Sequence, residues 1–129
     1  MRLLLDTHIA IWALTERDKL SAAARDLIAD PANMIYVSAA SVWEISIKFA
    51  IGKKDAPPFS GKDAISYFRE AGYKLLVITA EHAAAVGELP RIHGDPFDRL
   101  IIAQALSEPM RLLTHDKLVA GYSDSIIIA

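Results

Sequence analysis

Four carboxylates in this chain have surroundings that acidic surface residues normally lack. Asp6 ends the first apolar run, Asp116 closely follows another, and Glu44 and Asp98 have mostly apolar neighbours. If these groups meet, each close pair repels by about 4 kcal/mol at an intermediate effective dielectric, so a cation is needed between them. Mg²⁺ and Mn²⁺ prefer oxygen ligands and keep water molecules for a substrate phosphate. Because such an ion activates water against a phosphodiester, the four residues predict a metal site suited to nuclease chemistry.

Three of these carboxylates also have a structural interpretation. Asp6 and Asp116 each stand where a helix begins, and aspartate is a good N-cap. The pattern Ser41-x-x-Glu44 matches a capping box, and Glu44 is one turn before Lys48, with which it could form an ion pair. Taken singly, each residue leaves the structural and the functional interpretation open.

Asp98 is harder to explain by helix chemistry alone. Asp95 is a natural N-cap, and Pro96 suits the first helical position, which leaves Asp98 at the third. The helix that follows reads apolar on most sides, which indicates burial beside a sheet. We therefore expect Asp98, rather than Asp95, to be part of the site.

Short apolar runs alternate with helical patterns along the chain, which is typical of an α/β sheet. Runs that are apolar throughout indicate strands covered on both faces, so we expect a three-layer α/β/α sandwich around a mainly parallel sheet. The carboxyl ends of such strands meet at one edge, where the four carboxylates are expected. The predicted strands are Leu3–Leu5, Met34–Val37, Leu75–Ile78, Leu112–Leu113 and Ile126–Ile128, and the predicted helices span 8–15, 21–29, 40–51, 62–71, 80–89 and 97–107, with caps at Ser21, Ser38 or Ser41, Thr79 and Asp95.

Composition limits the possible chemistry and location. The chain has 129 residues and no cysteine, so we expect one domain over residues 1–129 without disulfides or thiolate metal sites. The net charge of -2 gives no broad attraction to nucleic acid, although Lys53-Lys54 and Arg91 with His93 supply local basic patches. The apolar run before Asp6 is too short for a signal peptide, and no stretch approaches the roughly 18 apolar residues of a membrane span. We therefore expect a cytoplasmic protein.

Five segments of the sequence resemble the successive motifs of the PIN-domain ribonucleases, in particular the VapC-type toxins of bacterial toxin–antitoxin pairs. The segments are Leu3–His8, Ser38–Lys48, Leu89–Pro90, His93–Ala105 and Leu113–Asp116, and the last two together are fairly specific. The resemblance implies an endoribonuclease that acts on RNA, depends on Mg²⁺ or Mn²⁺ and forms a homodimer. It also implies inhibition by a cognate VapB-type antitoxin, whose C-terminal segment covers the active site.

The same resemblance assigns roles to individual residues. It makes Thr7 and Thr114 polar supports of the site, and its acidic metal positions correspond to Asp6, Glu44, Asp98 and Asp116. We hypothesise that Asp6 and Asp98 bind the main ion, and that the other two complete the site directly or through water. We also hypothesise that Lys48 and Arg99 contact phosphate.

Two other classes of function were weighed. A receiver-like signalling module also binds Mg²⁺ in an acidic pocket, but it needs paired acidic residues after the first strand, where this chain has Asp6-Thr7. A non-catalytic binding domain with the PIN fold is the second alternative, and the complete acidic set argues against it. Aromatic residues such as Trp12 and Trp43 are expected in packing or an interface, and an oxygen-rich site does not require the histidines His8, His82, His93 and His115.

Overall fold

A parallel five-stranded sheet forms the centre of the molecule in the computed structural model, which describes residues 1–129. The strand order is β3-β2-β1-β4-β5, and every neighbouring pair is parallel. The strands are β1 (Arg2–Leu5), β2 (Met34–Ser38), β3 (Lys74–Leu76), β4 (Arg111–Thr114) and β5 (Ile127–Ile128). The prediction of a mainly parallel sheet is confirmed.

Helices cover both faces of this sheet. They are α1 (Thr7–Thr15), α2 (Ala22–Ala29), α3 (Ala39–Ile51), α4 (Gly61–Glu70), α5 (Ala80–Val86), α6 (Pro96–Ser107) and α7 (Lys117–Ala120), with a single 3₁₀ turn at Arg17–Lys19. None of them is long and apolar enough to cross a membrane.

The leucines of β1 divide the apolar core into two clusters, because successive side chains of a strand point to opposite faces. Leu3 and Leu5 pack in the cluster formed with α1, α2 and α4. Leu4 packs in the cluster formed with α6 and α7. All three leucines are fully buried, so β1 is covered on both sides and the three-layer sandwich is confirmed.

The structure corrects several boundaries. β3 ends at Leu76 rather than at residue 78, and the two apolar residues that follow, Val77 and Ile78, are exposed. The short α7 and the 3₁₀ turn were not predicted, because four residues or fewer show no helical periodicity. The capping box at Ser41 is wrong: α3 begins at Ala39 with Ser38 as its N-cap, so Ser41 lies inside the helix.

Strand order also fixes where a site can form. From β1 the sheet extends through β2 and β3 to one side and through β4 and β5 to the other. In an open α/β sheet, ligands bind in the crevice beyond the carboxyl ends of the strands, where the order reverses. Here that crevice lies between β1 and β4, which Asp6 and Asp116 follow.

Two glycines shape the loop that joins α3 to α4. Gly52 has a left-handed φ of 70° at the C-cap of α3, a conformation that residues with a Cβ rarely adopt. Gly61 lies so close to α3 that a Cβ built on it would be 2.8 Å from the Cβ of Ser46. The close approach of α3 and α4 places the 53–60 loop beside the cleft described below.

Candidate active site

Asp6 lies at the end of β1, and its two carboxylate oxygens have different partners. Its Oδ1 accepts a 2.9 Å hydrogen bond from the Ile9 N–H, which caps α1. Its Oδ2 accepts a hydrogen bond from the Thr114 hydroxyl. Burial raises the pKa of Asp6 above its ordinary value, while these two bonds act in the opposite direction. The helix-cap interpretation of Asp6 is therefore confirmed, and the second oxygen of the same carboxylate binds Thr114.

Thr114 connects the ends of the two central strands. A hydroxyl has one proton, which Thr114 donates to Asp6, so its oxygen is free to accept the 3.0 Å hydrogen bond from the Asp116 N–H. The side chain is fully buried, so neither bond is in competition with water. Thr114 thereby fixes Asp6 relative to the loop that carries Asp116. The hydroxyl of Thr7, the other predicted polar support, lies 2.8 Å from that of Ser41 and so connects α1 to α3.

Asp116 caps α7 and at the same time faces His93. Its Oδ1 accepts from the Leu118 N–H at 2.8 Å, and its Oδ2 lies 3.2 Å from His93 Nε2. Partial burial tends to raise the pKa of Asp116, but the hydrogen bonds from Leu118 and His93 outweigh it and hold the pKa below its ordinary value. Asp116 is therefore ionised at neutral pH.

His93 is the functional residue that sequence reasoning missed, since it was given no part in an oxygen-rich site. Its Nε2 lies 3.1 Å from Asp98 Oδ2 and 3.2 Å from Asp116 Oδ2. Its Nδ1 accepts a hydrogen bond from the Asp95 N–H, so the proton of the neutral ring is on Nε2, between the two carboxylates. The sequence did contain an indication of this position, because His93 is two residues before Asp95, the N-cap of α6. At that spacing the ring can accept a hydrogen bond from the Asp95 backbone N–H.

The pKa of Asp98 is strongly raised. Burial and the negative charges of Asp95, Asp6 and Glu44 raise its pKa from 3.8 to about 7, and His93 opposes the change. This effect requires the other carboxylates to be near, so it shows that Asp98 shares their electrostatic environment. Asp95 is the N-cap of α6, as predicted, and accepts from the Phe97 and Asp98 N–H groups.

Glu44 is buried in α3, and only one of its two carboxylate oxygens has a hydrogen-bond partner. Its Oε2 forms the expected ion pair with Lys48, at 2.5 Å, and this bond raises the pKa of Lys48 despite the opposing effect of its partial burial. Its Oε1 is buried without any hydrogen-bond partner. A buried carboxylate oxygen without a partner destabilises the fold. A ligand that binds Oε1 of Glu44 would remove this cost.

The donor set fits a hard divalent cation. The ligand atoms of His93, Asp98 and Asp116 all lie within 4.8 Å of one another. Asp6 is joined to Asp116 through Thr114, and Glu44 is close enough to Asp98 to raise its pKa. Carboxylate oxygens are the ligands that Mg²⁺ and Mn²⁺ prefer. The four predicted carboxylates thus belong to one cluster.

A buried polar network sets the spacing of the helices that carry Glu44 and Asp98. The Ser38 hydroxyl, at the start of α3, donates to Oε1 of the fully buried Gln104 in α6. The Gln104 amide donates in turn to the Val77 carbonyl at 3.2 Å. Since these groups are shielded from water, their bonds hold α3 and α6 in one relative position.

Arg99 does not support the expectation of a phosphate contact. Its guanidinium donates to the carbonyls of Pro90, Val86, His93 and Leu89 and to the Tyr122 hydroxyl, at 3.0 to 3.5 Å. These contacts use its donors to fix the loop that leads into α6. In the structure Arg99 therefore stabilises the loop that contains His93.

Comparison with known proteins agrees with this geometry. Residues 3–123 match the family model described as PIN domain. Ribonuclease VapC22 of Mycobacterium tuberculosis is 35% identical over 128 residues, which cover 92% of this chain and 90% of the relative. Among solved structures, VapBC2 from Rickettsia felis bound to a promoter DNA fragment superposes with a TM-score of 0.69 at 19% identity, over 100% of this chain and 98% of the other. DNA-bound VapBC from Salmonella typhimurium superposes with a TM-score of 0.67 at 17% identity, over 100% and 97%. The match to the family model over almost the full length and the 35% identity together show that this chain belongs to the PIN domain family.

Proposed function

We propose that this protein is a metal-dependent endoribonuclease, the toxin of a VapBC-type toxin–antitoxin pair. The observation that carries the proposal is the buried Oε1 of Glu44, which has no partner although it shares one cluster with three other carboxylates. A purely structural cluster would be expected to satisfy or neutralise that oxygen. The relation to ribonuclease VapC22 supports the choice of RNA as substrate.

Asp6, Glu44, Asp98 and Asp116 are the residues that would hold the ion. Bound Mg²⁺ or Mn²⁺ supplies Lewis-acid chemistry, which neutralises phosphate charge and makes water more acidic. Thr114 favours the ionised form of Asp6, since a hydrogen bond to a carboxylate stabilises its charge. His93 orients Asp98 and Asp116 through its Nε2 proton.

The proposed partners follow the family. Three of the similar solved structures are named VapBC assemblies, and we propose a VapB-type antitoxin and a homodimer for this chain as well. Lys48 remains the proposed phosphate contact, because its side chain is 46% exposed and lines the cleft beside the carboxylates. A cytoplasmic location is part of the same proposal.

A non-catalytic PIN domain is the competing function, and one experiment separates the two. The purified protein is incubated with a panel of structured RNAs, with Mn²⁺ or with a chelator, beside the variant Asp6→Asn. Asparagine also caps helices, so this variant keeps the fold while it removes one charge from the site. We expect cleavage only by the unaltered protein with metal, and an unchanged circular dichroism spectrum for the variant.

Asp26→Asn is the matched control, because Asp26 is exposed on α2, away from the site. It should cleave RNA as the unaltered protein does. Cleavage by Asp6→Asn at the full rate would remove Asp6 from the mechanism. Absence of any cleavage, together with no binding of Mn²⁺ by calorimetry, would favour the binding domain.

A further inference from the structure

Three aromatic rings meet at the edge of the sheet that carries the acidic cluster. The Trp12 and His115 ring centroids are 4.7 Å apart, and His8 lies 5.8 Å from Trp12 and 5.7 Å from His115. His8 and Trp12 are in α1, just after Asp6, and His115 lies between Thr114 and Asp116. We call these three residues the aromatic platform.

From the sequence we expected Trp12 in packing or an interface, and in the structure it packs at the margin of the core. Both histidines are exposed, and Trp12 is half-buried, with part of its ring against the apolar cluster behind it. Burial raises the pKa of Asp6, and His115 and His8 lie near enough to that carboxylate to oppose the rise. Aromatic surface is thus presented to solvent directly beside the carboxylates.

A cleft of about 640 Å³ runs from this platform along α1 and α3. His8 and Trp12 line it near Glu44, and Lys53 and Lys54 line its loop wall. The other two lysines of the cleft are paired, Lys48 with Glu44 and Lys19 with Glu16, whereas Lys53 and Lys54 have no ion pair in the structure. Asp55 follows them in the same loop wall and offsets one of these two charges, so the wall has a net charge of +1, which favours a phosphate backbone.

From this arrangement we infer that the cleft binds single-stranded RNA, with one base stacked on an exposed ring of the aromatic platform and the adjoining phosphates near Lys53 and Lys54. The planes of the three rings are inclined to one another by 49° to 81°, so the base stacks on one ring and contacts the edges of the others. The inference rests on the proposed function, since it places the cleaved phosphate at the carboxylates. A stacking surface beside a basic groove is the usual arrangement for binding unpaired nucleotides, because every base has a π-face and every nucleotide a phosphate. Bases in a duplex are already stacked, so duplex RNA is excluded from the platform.

Trp12 itself can report on this stacking. The chain has two tryptophans, so Trp43→Phe leaves Trp12 as the sole tryptophan, whose fluorescence is excited selectively over that of the four tyrosines, and Trp12→Phe leaves Trp43. Each protein is titrated with a single-stranded RNA of roughly six nucleotides in a chelator, which prevents cleavage, at low salt. We expect saturable quenching in the Trp43→Phe protein, little change in the Trp12→Phe protein, and no saturable quenching by duplex RNA.

Affinity measurements extend the test to the other residues. Trp12 packs partly on the core, so Trp12→Leu retains apolar volume, and His115→Ala removes an exposed ring without touching the core. Each should weaken RNA binding about tenfold, equivalent to about 1.4 kcal/mol, and raise KM more than it lowers kcat. Lys54→Ala should reduce the slope of log Kd against log salt by about 0.7, as expected for one phosphate contact on a single strand. Lys62→Ala, on the exposed surface of α4, should leave that slope unchanged.

Three outcomes would overturn the inference. The first is a Trp12 signal that is insensitive to RNA, and the second is equal quenching by duplex and single strands. The third is a signal that changes only with protein concentration, which would make the cleft a contact between protein chains. If RNA is cleaved normally while Trp12 does not respond, the nuclease function stands and the platform fails. If RNA quenches Trp12 but is not cleaved with any divalent ion, the platform stands and the nuclease function fails.

Discussion

Replacing Asp98 by asparagine should stabilise the metal-free protein while it destroys the metal site. The pKa of Asp98 is raised from 3.8 to about 7 by burial and by neighbouring carboxylates. Each tenfold change in acidity is worth about 1.4 kcal/mol, so ionising Asp98 costs the fold up to about 4 kcal/mol more than it costs the unfolded chain. The side chain is still 23% exposed, and solvent screening lowers our expectation to about 1 to 2 kcal/mol.

The sign of this effect depends on pH. Because the folded-state pKa is higher than the unfolded one, the penalty is absent below about pH 4, grows as the pH rises towards 7, and is complete above it. Asp98→Asn should therefore melt about 4 to 8 °C higher than the unaltered protein at about pH 8 in a chelator. The two melting temperatures should converge at about pH 4.

Thermal unfolding with and without Mn²⁺ is the assay. A saturating ion stabilises only the form that binds it, by about 2.7 kcal/mol at a hundred times its Kd, so Mn²⁺ should raise the melting temperature of the unaltered protein and hardly that of Asp98→Asn. Asp26→Asn serves as the control and should follow the unaltered protein throughout. A melting temperature of Asp98→Asn below that of the unaltered protein at about pH 8, without metal, would refute the proposed repulsion among the carboxylates.

Three further predictions concern the same site. Mn²⁺ must displace the proton from Asp98, whose pKa is raised to about 7, so its affinity should increase as the pH rises from about 6 to 8 and binding should release a proton. Calorimetry in buffers of different ionisation enthalpy measures this release, and an affinity independent of pH would contradict it. Arg99→Ala leaves partly buried carbonyls without donors and should lower the free energy of unfolding by about 1 to 2 kcal/mol in urea titrations. Unchanged stability with weaker RNA binding would restore its substrate role. Thr114→Val removes both hydrogen bonds of the hydroxyl and should lower the free energy of unfolding by about 2 to 3 kcal/mol. Thr114→Ser keeps the hydroxyl and should retain most of that free energy. Equal losses in the two variants would show that the methyl group, and not the hydroxyl, is responsible.

Local sequence was sufficient for most of the secondary structure. The leucines of β1 are apolar on both faces, which specifies a strand buried on both sides, and the caps Ser21, Thr79 and Asp95 mark real helix starts. The helices and strand ends that local sequence did not predict depend on contacts with distant parts of the chain. β3 stops at Leu76 although the apolar run continues, because its register with β2 ends there, at Ser38.

For the site, the sequence by itself determined which residues carry charge: acidic groups follow β1 and β4 and lie in α3 and α6, and residue type fixes their preference for a hard cation. Only the tertiary structure decided what each group faces. The Nε2 proton of His93 lies between Asp98 and Asp116, and Arg99 is used on loop carbonyls rather than on phosphate. The exposed ring of His115 meets Trp12 and His8 from a distant part of the chain. Side-chain type and spacing are local properties, whereas partners more than twenty residues away are brought together only by strand order and helix packing.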